Sequence, residues 1–333
     1  EIVMDNSYKN VTEKSAIAKF KLKDEKNTYV LAWTTTAWTL IGNVALAINP
    51  ALQYVKIKQN KEYYILAKDR LQEITGTYEI IEQMKGEKLV KKAYDPLYPV
   101  KSNKKGHYVV DGGNEVTAAD GTGIVHMALY GDFDYRMIKK YDLPVVQHVN
   151  QQGKLHLGPE AWFGLWFKKA DTKVLEDLEK RNLLYKAEPY THSYPFCYRC
   201  ETPLFYNAVD SWFVDIQKVK NHLLKKNKEI NWHPDHIKEG RFKYILESAP
   251  DWSISRNRFW ATAIPIWKCK KCGQVTVVGS VKELQEKAIG KVPNQLDLHK
   301  HIVDEIQITC ARCKGVMTRI PEVLDCWFES GSM

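Results

Sequence analysis

Between residues 28 and 110 the apolar residues come in short blocks rather than at helical spacing. The blocks are Thr28-Tyr-Val-Leu-Ala-Trp-Thr-Thr-Thr36, Tyr54-Val-Lys-Ile-Lys58, Tyr63-Tyr-Ile-Leu-Ala67, Tyr78-Glu-Ile-Ile81 and His107-Tyr-Val-Val110, separated by Asn, Gly, Pro and Asp. Branched and aromatic side chains suit a pleated, half-buried surface, and the turn residues end each run, so these blocks predict strands of a β-rich domain. The period then changes. Residues 162–184 and 214–224 carry apolar side chains every three or four positions, which predicts helices. Gly112-Gly113, residues 150–153 and the stretch from Pro189 to Pro203 punctuate the pattern. The expected division is a β-rich domain with helices over residues 1–190 and a second region over 191–333.

Composition sets outer limits. The chain has 333 residues, 44% of them hydrophobic, with 10 Trp and 18 Tyr, enough to bury cores for two or three domains. It contains no long uncharged apolar run, and Glu1-Ile-Val-Met-Asp5 is not a secretory leader, so a cytoplasmic protein without a membrane partner is expected. A net charge of +9 suits a polyanionic partner, although Lys-rich surfaces also serve solubility.

The cysteines say more. Six of the seven form three C-x-x-C pairs, the pattern of a thiolate metal site in a reducing compartment. Cys269/Cys272 and Cys310/Cys313 are 37 residues apart, with Gly273 and Gly315 close behind to allow tight turns. Four thiolates surround Zn²⁺ tetrahedrally and leave no position for water, so a structural ion is expected there. Cys197-Tyr-Arg-Cys200 looks like a third knuckle without a matching pair in this chain. Its metal status is open: its partners lie outside the chain, or it carries no metal. Cys326 is left over.

Four blocks occur in order: Trp33-Thr-Thr-Thr-Ala-Trp-Thr-Leu-Ile-Gly-Asn43, Gly121-Thr-Gly-Ile-Val-His-Met-Ala128, Asp251-Trp-Ser-Ile-Ser-Arg-Asn-Arg-Phe-Trp260 and Asp325-Cys-Trp-Phe-Glu-Ser-Gly331. Together they resemble the isoleucyl-tRNA synthetases, class I aminoacyl-tRNA synthetases, over essentially the whole chain. The resemblance implies a mixed α/β and β fold: a β-barrel-like editing domain plus a zinc-stapled α/β part of a split Rossmann catalytic core. Neither a HIGH-type nor a KMSKS-type motif occurs, so ATP and Mg²⁺ belong to the full-length parent, and charging is not expected from this chain alone. The implied partners are the acceptor end of tRNA(Ile) and, if the enzyme is split, its missing halves; a monomer is expected.

One methylene is worth only about 1–3 kcal/mol of discrimination, the isoleucine–valine pair being the standard illustration, so valine must be removed after charging. The resemblance therefore implies hydrolysis of mischarged Val-tRNA(Ile). The alternative is an editing-inactive tRNA-binding or structural piece of a split or diverged synthetase. Thr36 and Thr39 would act in the hydrolysis with Asp134, which would clamp the substrate's α-ammonium from a pocket rim. Thr34, Thr35 and Asn43 would contact ribose and ester, and His126 would wall the side-chain pocket. Trp327 resembles the wall of the synthetic isoleucine pocket, and Ser255-Arg-Asn-Arg258 a basic strip near the acceptor end. Without the resemblance, Asp134 is a charge at a helix start and the threonines a strand of good propensity. The chain also departs from the family. Ala37 and Ile41 replace prolines, Leu129–Phe133 lacks a proline and is one residue short, and Ala261 and Ala263 stand where Gly and Pro are usual.

Overall fold

Two long strands that the hydrophobic pattern does not reveal frame the first part of the protein. β1 (Tyr8–Lys21) and β9 (Leu184–Pro195) run antiparallel, with Tyr8 opposite Pro195 and Ile17 opposite Lys186. The polar first half of β1 and the prolines of β9 disguise them. Among the described residues β9 pairs only with β1, so Pro189 lies in an edge strand, where a missing N–H costs little.

The structure is a computed structural model that describes residues 7–332. Contacts divide the chain into two compact units, one ending at Ala208 and the other starting at Val209. In the first unit β2 (Thr28–Thr34), β3 (Ala45–Ile48), β4 (Gln53–Gln59), β5 (Glu62–Ala67), β6 (Glu79–Lys85), β7 (Val109–Asp111) and β8 (Val125–Met127) join β1 and β9 in one curled, half-barrel sheet. Helices α1 (Asp132–Lys140) and α2 (Phe167–Lys180) complete it. β2 is a branch point: its start pairs parallel with β5, and its end meets β8 at Trp33 and Val125.

Strand alternation builds a core on each side of the sheet. Ala16, Ala18, Phe20, Val30, Ala32, Tyr54 and Ile65 lie on one side, where Phe167, Ala170 and Val174 of α2 join them. Ile17, Leu31, Val55, Ile57, Tyr64 and Leu66 lie on the other.

The expected strands near 54–58, 63–67, 78–81 and 107–110 are present as β4 to β7 with shifted ends. The expected strand over 28–36 stops at Thr34, and residues 37–42 form a 3₁₀ turn instead. The helical pattern of 162–184 resolves into a single turn (Glu160–Trp162) and α2, after which the chain enters β9.

The second unit contains β10 (Phe213–Val214), α3 (Ile216–Glu229), α4 (Lys243–Ser248), β11 (Trp252–Ser253) and β12 (Ser255–Arg256). It continues through β13 (Ile266–Cys269), β14 (Val275–Val277), α5 (Val281–Lys287), α6 (Lys300–Val303), β15 (Gln307–Thr309), β16 (Val316–Arg319), β17 (Val323–Leu324) and α7 (Cys326–Gly331). β13 to β16 form an antiparallel sheet in the order β14-β13-β16-β15, with Trp267, Val278, Leu284, Ile308 and Met317 buried on it beside Cys269 and Cys310.

Candidate functional site

The threonine block turns at the end of β2 because Thr34 competes with the strand ladder for a backbone N–H. Its Oγ1 accepts from the Thr36 N–H at 3.1 Å, a side-chain-closed turn that ends the extended run. The 3₁₀ turn Ala37–Gly42 follows, buried throughout. Thr39 donates its hydroxyl hydrogen to the Thr36 carbonyl at 2.7 Å, and its Oγ1 lies 3.4 Å from Thr36 Oγ1.

His126, in β8, reaches the same hydroxyl, with Nε2 2.9 Å from Thr39 Oγ1. Since the Thr39 hydrogen already goes to Thr36, Nε2 is the donor here and Nδ1 the acceptor. Burial lowers the His126 pKa to about 4, so the ring is neutral. Its buried Nδ1 has no hydrogen-bond partner among the described residues. Thr35 is half-buried, and its hydroxyl takes no part in this chain of contacts.

Asp134 stands in the first turn of α1, where the helix dipole favours negative charge. Its Oδ1 accepts the Ala128 N–H at 3.2 Å, which ties it to the residue following β8. A Cβ on Gly131 would come within 2.5 Å of its Oδ2, so only glycine lets the carboxyl fold back this closely. Desolvation pushes the carboxyl up to about 7, against the pull of the Ala128 and Asp134 N–H groups.

Asn43 is placed differently. Its side chain is fully engaged: Oδ1 accepts from Tyr94 Oη at 2.7 Å, and Nδ2 donates to the Ala45 carbonyl at 2.9 Å. It pins the end of the turn against β3. Trp327 belongs to the second unit, on α7, and is 71% exposed. Arg256 of the basic strip is drawn into the second unit's own framework. It bonds Asp325, the residue capping α7, at 2.6 Å and the Ser255 carbonyl at 2.8 Å.

Sequence reasoning missed Asp171, Tyr130 and His148, which surround Trp38 of the same turn. Asp171 Oδ1 accepts the Trp38 N–H at 2.8 Å, and His148 Nε2 lies 3.0 Å from the Trp38 carbonyl. These residues are distant in sequence and match no motif, so nothing in the chain's pattern singles them out.

In the second unit the four expected thiols converge, their sulfurs all within 4.8 Å of one another. Sγ of Cys269 and Cys313 are 3.5 Å apart, and those of Cys272 and Cys310 are 3.7 Å apart. Tetrahedral Zn–S bonds of about 2.3 Å require sulfurs about 3.8 Å apart, so the set fits a four-thiolate ion. The Cys272 N–H leads the effects that lower the Cys269 thiol to about 6, while, against the pull of the Gly315 N–H, the neighbouring thiols raise that of Cys313, so it is the sulfur spacing that identifies the set.

The two knuckles share one turn. Gly273 takes the left-handed position of the first (φ 72). In the second, Lys314 rather than Gly315 takes it (φ 57). Gly315 leaves room instead, since a Cβ there would lie a tight 3.2 Å from Cys313 Sγ. Cys197/Cys200 adopts the same turn through Glu201 (φ 55), whose N–H donates to the Cys197 carbonyl at 2.9 Å.

Comparison with known proteins places these sites in context. The family described as tRNA synthetases class I (I, L, M and V) matches residues 4–333. The isoleucine–tRNA ligase of Clostridium acetobutylicum is 50% identical over 328 residues, 98% of this chain and 31% of that protein. That of Clostridium novyi is 49% identical over 329 residues, again 98% of this chain and 31% of the relative. The chain thus spans about a third of the length of the curated relatives it matches. Among solved structures, the editing domain of the P. knowlesi cytosolic leucyl-tRNA synthetase aligns with 57% of this chain and 100% of its own. That alignment has a TM-score of 0.41 and 14% identity.

Proposed function

The chain belongs to the class I tRNA synthetases of the I, L, M and V type, and from that premise we propose that its first unit is an editing deacylase that hydrolyses Val-tRNA(Ile). The observation that carries the reading is the convergence at β8. The Thr39 side chain, linked to Thr36, meets His126 in the middle of this three-residue strand, and Asp134 is bonded to the residue following it.

A water poised on the ester needs hydrogen-bonding groups to hold it but no strong base, because an aminoacyl ester is already activated by its ribose. Thr36 and Thr39 supply such hydroxyls. Thr35, whose hydroxyl has no partner among the described residues, and Thr34 line the approach for ribose. Asp134 as carboxylate would pair with the α-ammonium, an interaction that also offsets the desolvation of the carboxyl. His126, neutral and buried, presents its ring as a wall that a valine side chain clears and isoleucine does not. Asn43 acts on substrate only through the turn it anchors.

The parent activity is ATP-dependent charging of tRNA(Ile) with isoleucine. Trp327 is proposed as a side-chain contact of that synthetic pocket. In the second unit Cys269, Cys272, Cys310 and Cys313 would hold a structural Zn²⁺, whose closed thiolate shell supplies rigidity and no chemistry.

The test is deacylation of Val-tRNA(Ile) and Ile-tRNA(Ile) by the wild type and by His126→Ala. The expected result is valine-selective cleavage by the wild type. In the variant, cleavage spreads to the isoleucyl ester while valine removal persists. A wild type inactive on both esters replaces this reading with that of a tRNA-binding or structural module.

A further inference from the structure

Resting on the deacylase reading above, we propose that Asp171 is a positioning residue for the hydrolysis: from α2 it holds the Trp38 peptide and so sets where the Thr36 and Thr39 hydroxyls stand. The turn Ala37–Gly42 contains no proline, so no ring fixes its backbone. Nor does its N-cap residue, Thr36, offer a side-chain cap bond. The first N–H groups of such a turn have no partner within it and need one from elsewhere.

Asp171 meets that need across 133 residues of sequence, accepting the Trp38 N–H at 2.8 Å. Desolvation pushes its carboxyl up to about 7, against the pull of the Trp38 and Ala37 N–H groups. Neighbouring Lys168 bonds the two carboxylate oxygens of Glu13 at 2.7 and 2.6 Å and acts on Asp171 through its charge, while the Trp38 N–H is the hydrogen-bond donor to Asp171.

The far side of the same residue is held as firmly. The Trp38 carbonyl can only accept, so His148 Nε2 donates to it at 3.0 Å, and Nδ1 then accepts from Tyr130 Oη at 3.0 Å. The indole packs edge-on against Tyr130 and Phe167, with ring centroids 4.5 and 5.0 Å away. Trp38 therefore cannot turn about its own backbone without breaking a bond at one end or the other. Thr39 is its immediate neighbour and is bonded back to the Thr36 carbonyl through both N–H and hydroxyl. Any rotation at Trp38 moves the two hydroxyls with it. Asp171 touches no reacting atom; its effect passes through the peptide.

The experiment compares wild type, Asp171→Ala and Asp171→Asn in steady-state deacylation of Val-tRNA(Ile), together with amide hydrogen exchange at residues 37–39. A hydroxyl displaced by about an ångström costs on the order of 100-fold in rate. The alanine variant should therefore lose about 10- to 100-fold in kcat with KM for the tRNA within about twofold. Its amides at 37–39 should exchange faster while those of β4 and β5 keep their protection. Asparagine retains a carbonyl acceptor and should restore kcat to within about threefold of wild type. An alanine variant with wild-type kcat overturns the proposal. So does a loss confined to KM, or a loss of protection spread across the whole sheet, which marks a merely structural residue. A wild type inactive on both esters overturns the deacylase reading and this role with it; the exchange data then report only whether the clamp on Trp38 exists.

Discussion

A carboxyl that meets an ammonium ion works best where water does not compete for it, and the place of Asp134 suits the role proposed for it. It is half-buried rather than standing on an open rim, and desolvation pushes it up to about 7. If the carboxylate is the active form, kcat/KM on Val-tRNA(Ile) should fall as pH drops below about 7, and Asp134→Ala should weaken that acid limb, leaving the part due to Asp171, which desolvation also pushes up to about 7. The same variant should lose about 2–4 kcal/mol of transition-state stabilisation, the scale of one preorganised contact to a reacting group. Activity indistinguishable from wild type would remove Asp134 from the site. The sign for stability is the reverse of the usual carboxylate case. The folded protein holds this proton more tightly than the unfolded chain, so the stability tied to it is lost as pH rises from about 4 to about 7. Asp134→Asn should accordingly raise the melting temperature more at pH 8 than at pH 5. At this scale the sequence exposes residue types but not their commitments. Asn43 and Thr35 sit in the same block, yet one amide is consumed by Tyr94 and Ala45 while the Thr35 hydroxyl has no partner among the described residues.

Elements follow local chemistry where the signal is local. The runs at 54–58 and 63–67 become β4 and β5 because alternating branched and aromatic side chains find a core on both faces of the sheet. The threonine block misleads for an equally local reason: its strand propensity is overridden at Thr34, whose hydroxyl closes a turn. Another local departure is visible in the loop before β13. Ala261 has φ of 143°, a conformation that costs a residue bearing a Cβ about 1–3 kcal/mol. Ala261→Gly should stabilise the second unit by about 1 kcal/mol after glycine's greater freedom in the unfolded chain is subtracted. The urea midpoint of that unit measures it, and a lowered midpoint would show that the loop is not strained. The three cysteine knuckles are the clearest sequence-to-element correspondence. Their C-x-x-C spacing meets the same turn each time, whether the left-handed residue is Gly273, Lys314 or Glu201.

At the scale of the whole chain, the four-cysteine cluster lies within one of the two units. About one Zn²⁺ per chain should co-purify, and closed four-thiolate sites contribute folding free energy directly. Chelation or Cys269→Ser should therefore lower the thermal transition of the second unit and leave that of the first in place, as followed by calorimetry alongside metal analysis. Purification without metal, with no thermal change in the variant, would sink the assignment. The paired C-x-x-C spacing and the β-rich character of the first unit are legible in the sequence because each depends on neighbours, and the threonines, His126 and Asp134 stand out through the resemblance carried by short blocks. What only the tertiary structure decides is their connection. Thr39 meets His126 across 87 residues, Trp38 meets Asp171 across 133, and β1 meets β9 across the length of the first unit. Such contacts leave no periodic trace in the chain. They arise because a sheet with cores on both faces brings distant strand ends together, and buried polar groups there must find partners wherever the fold supplies them.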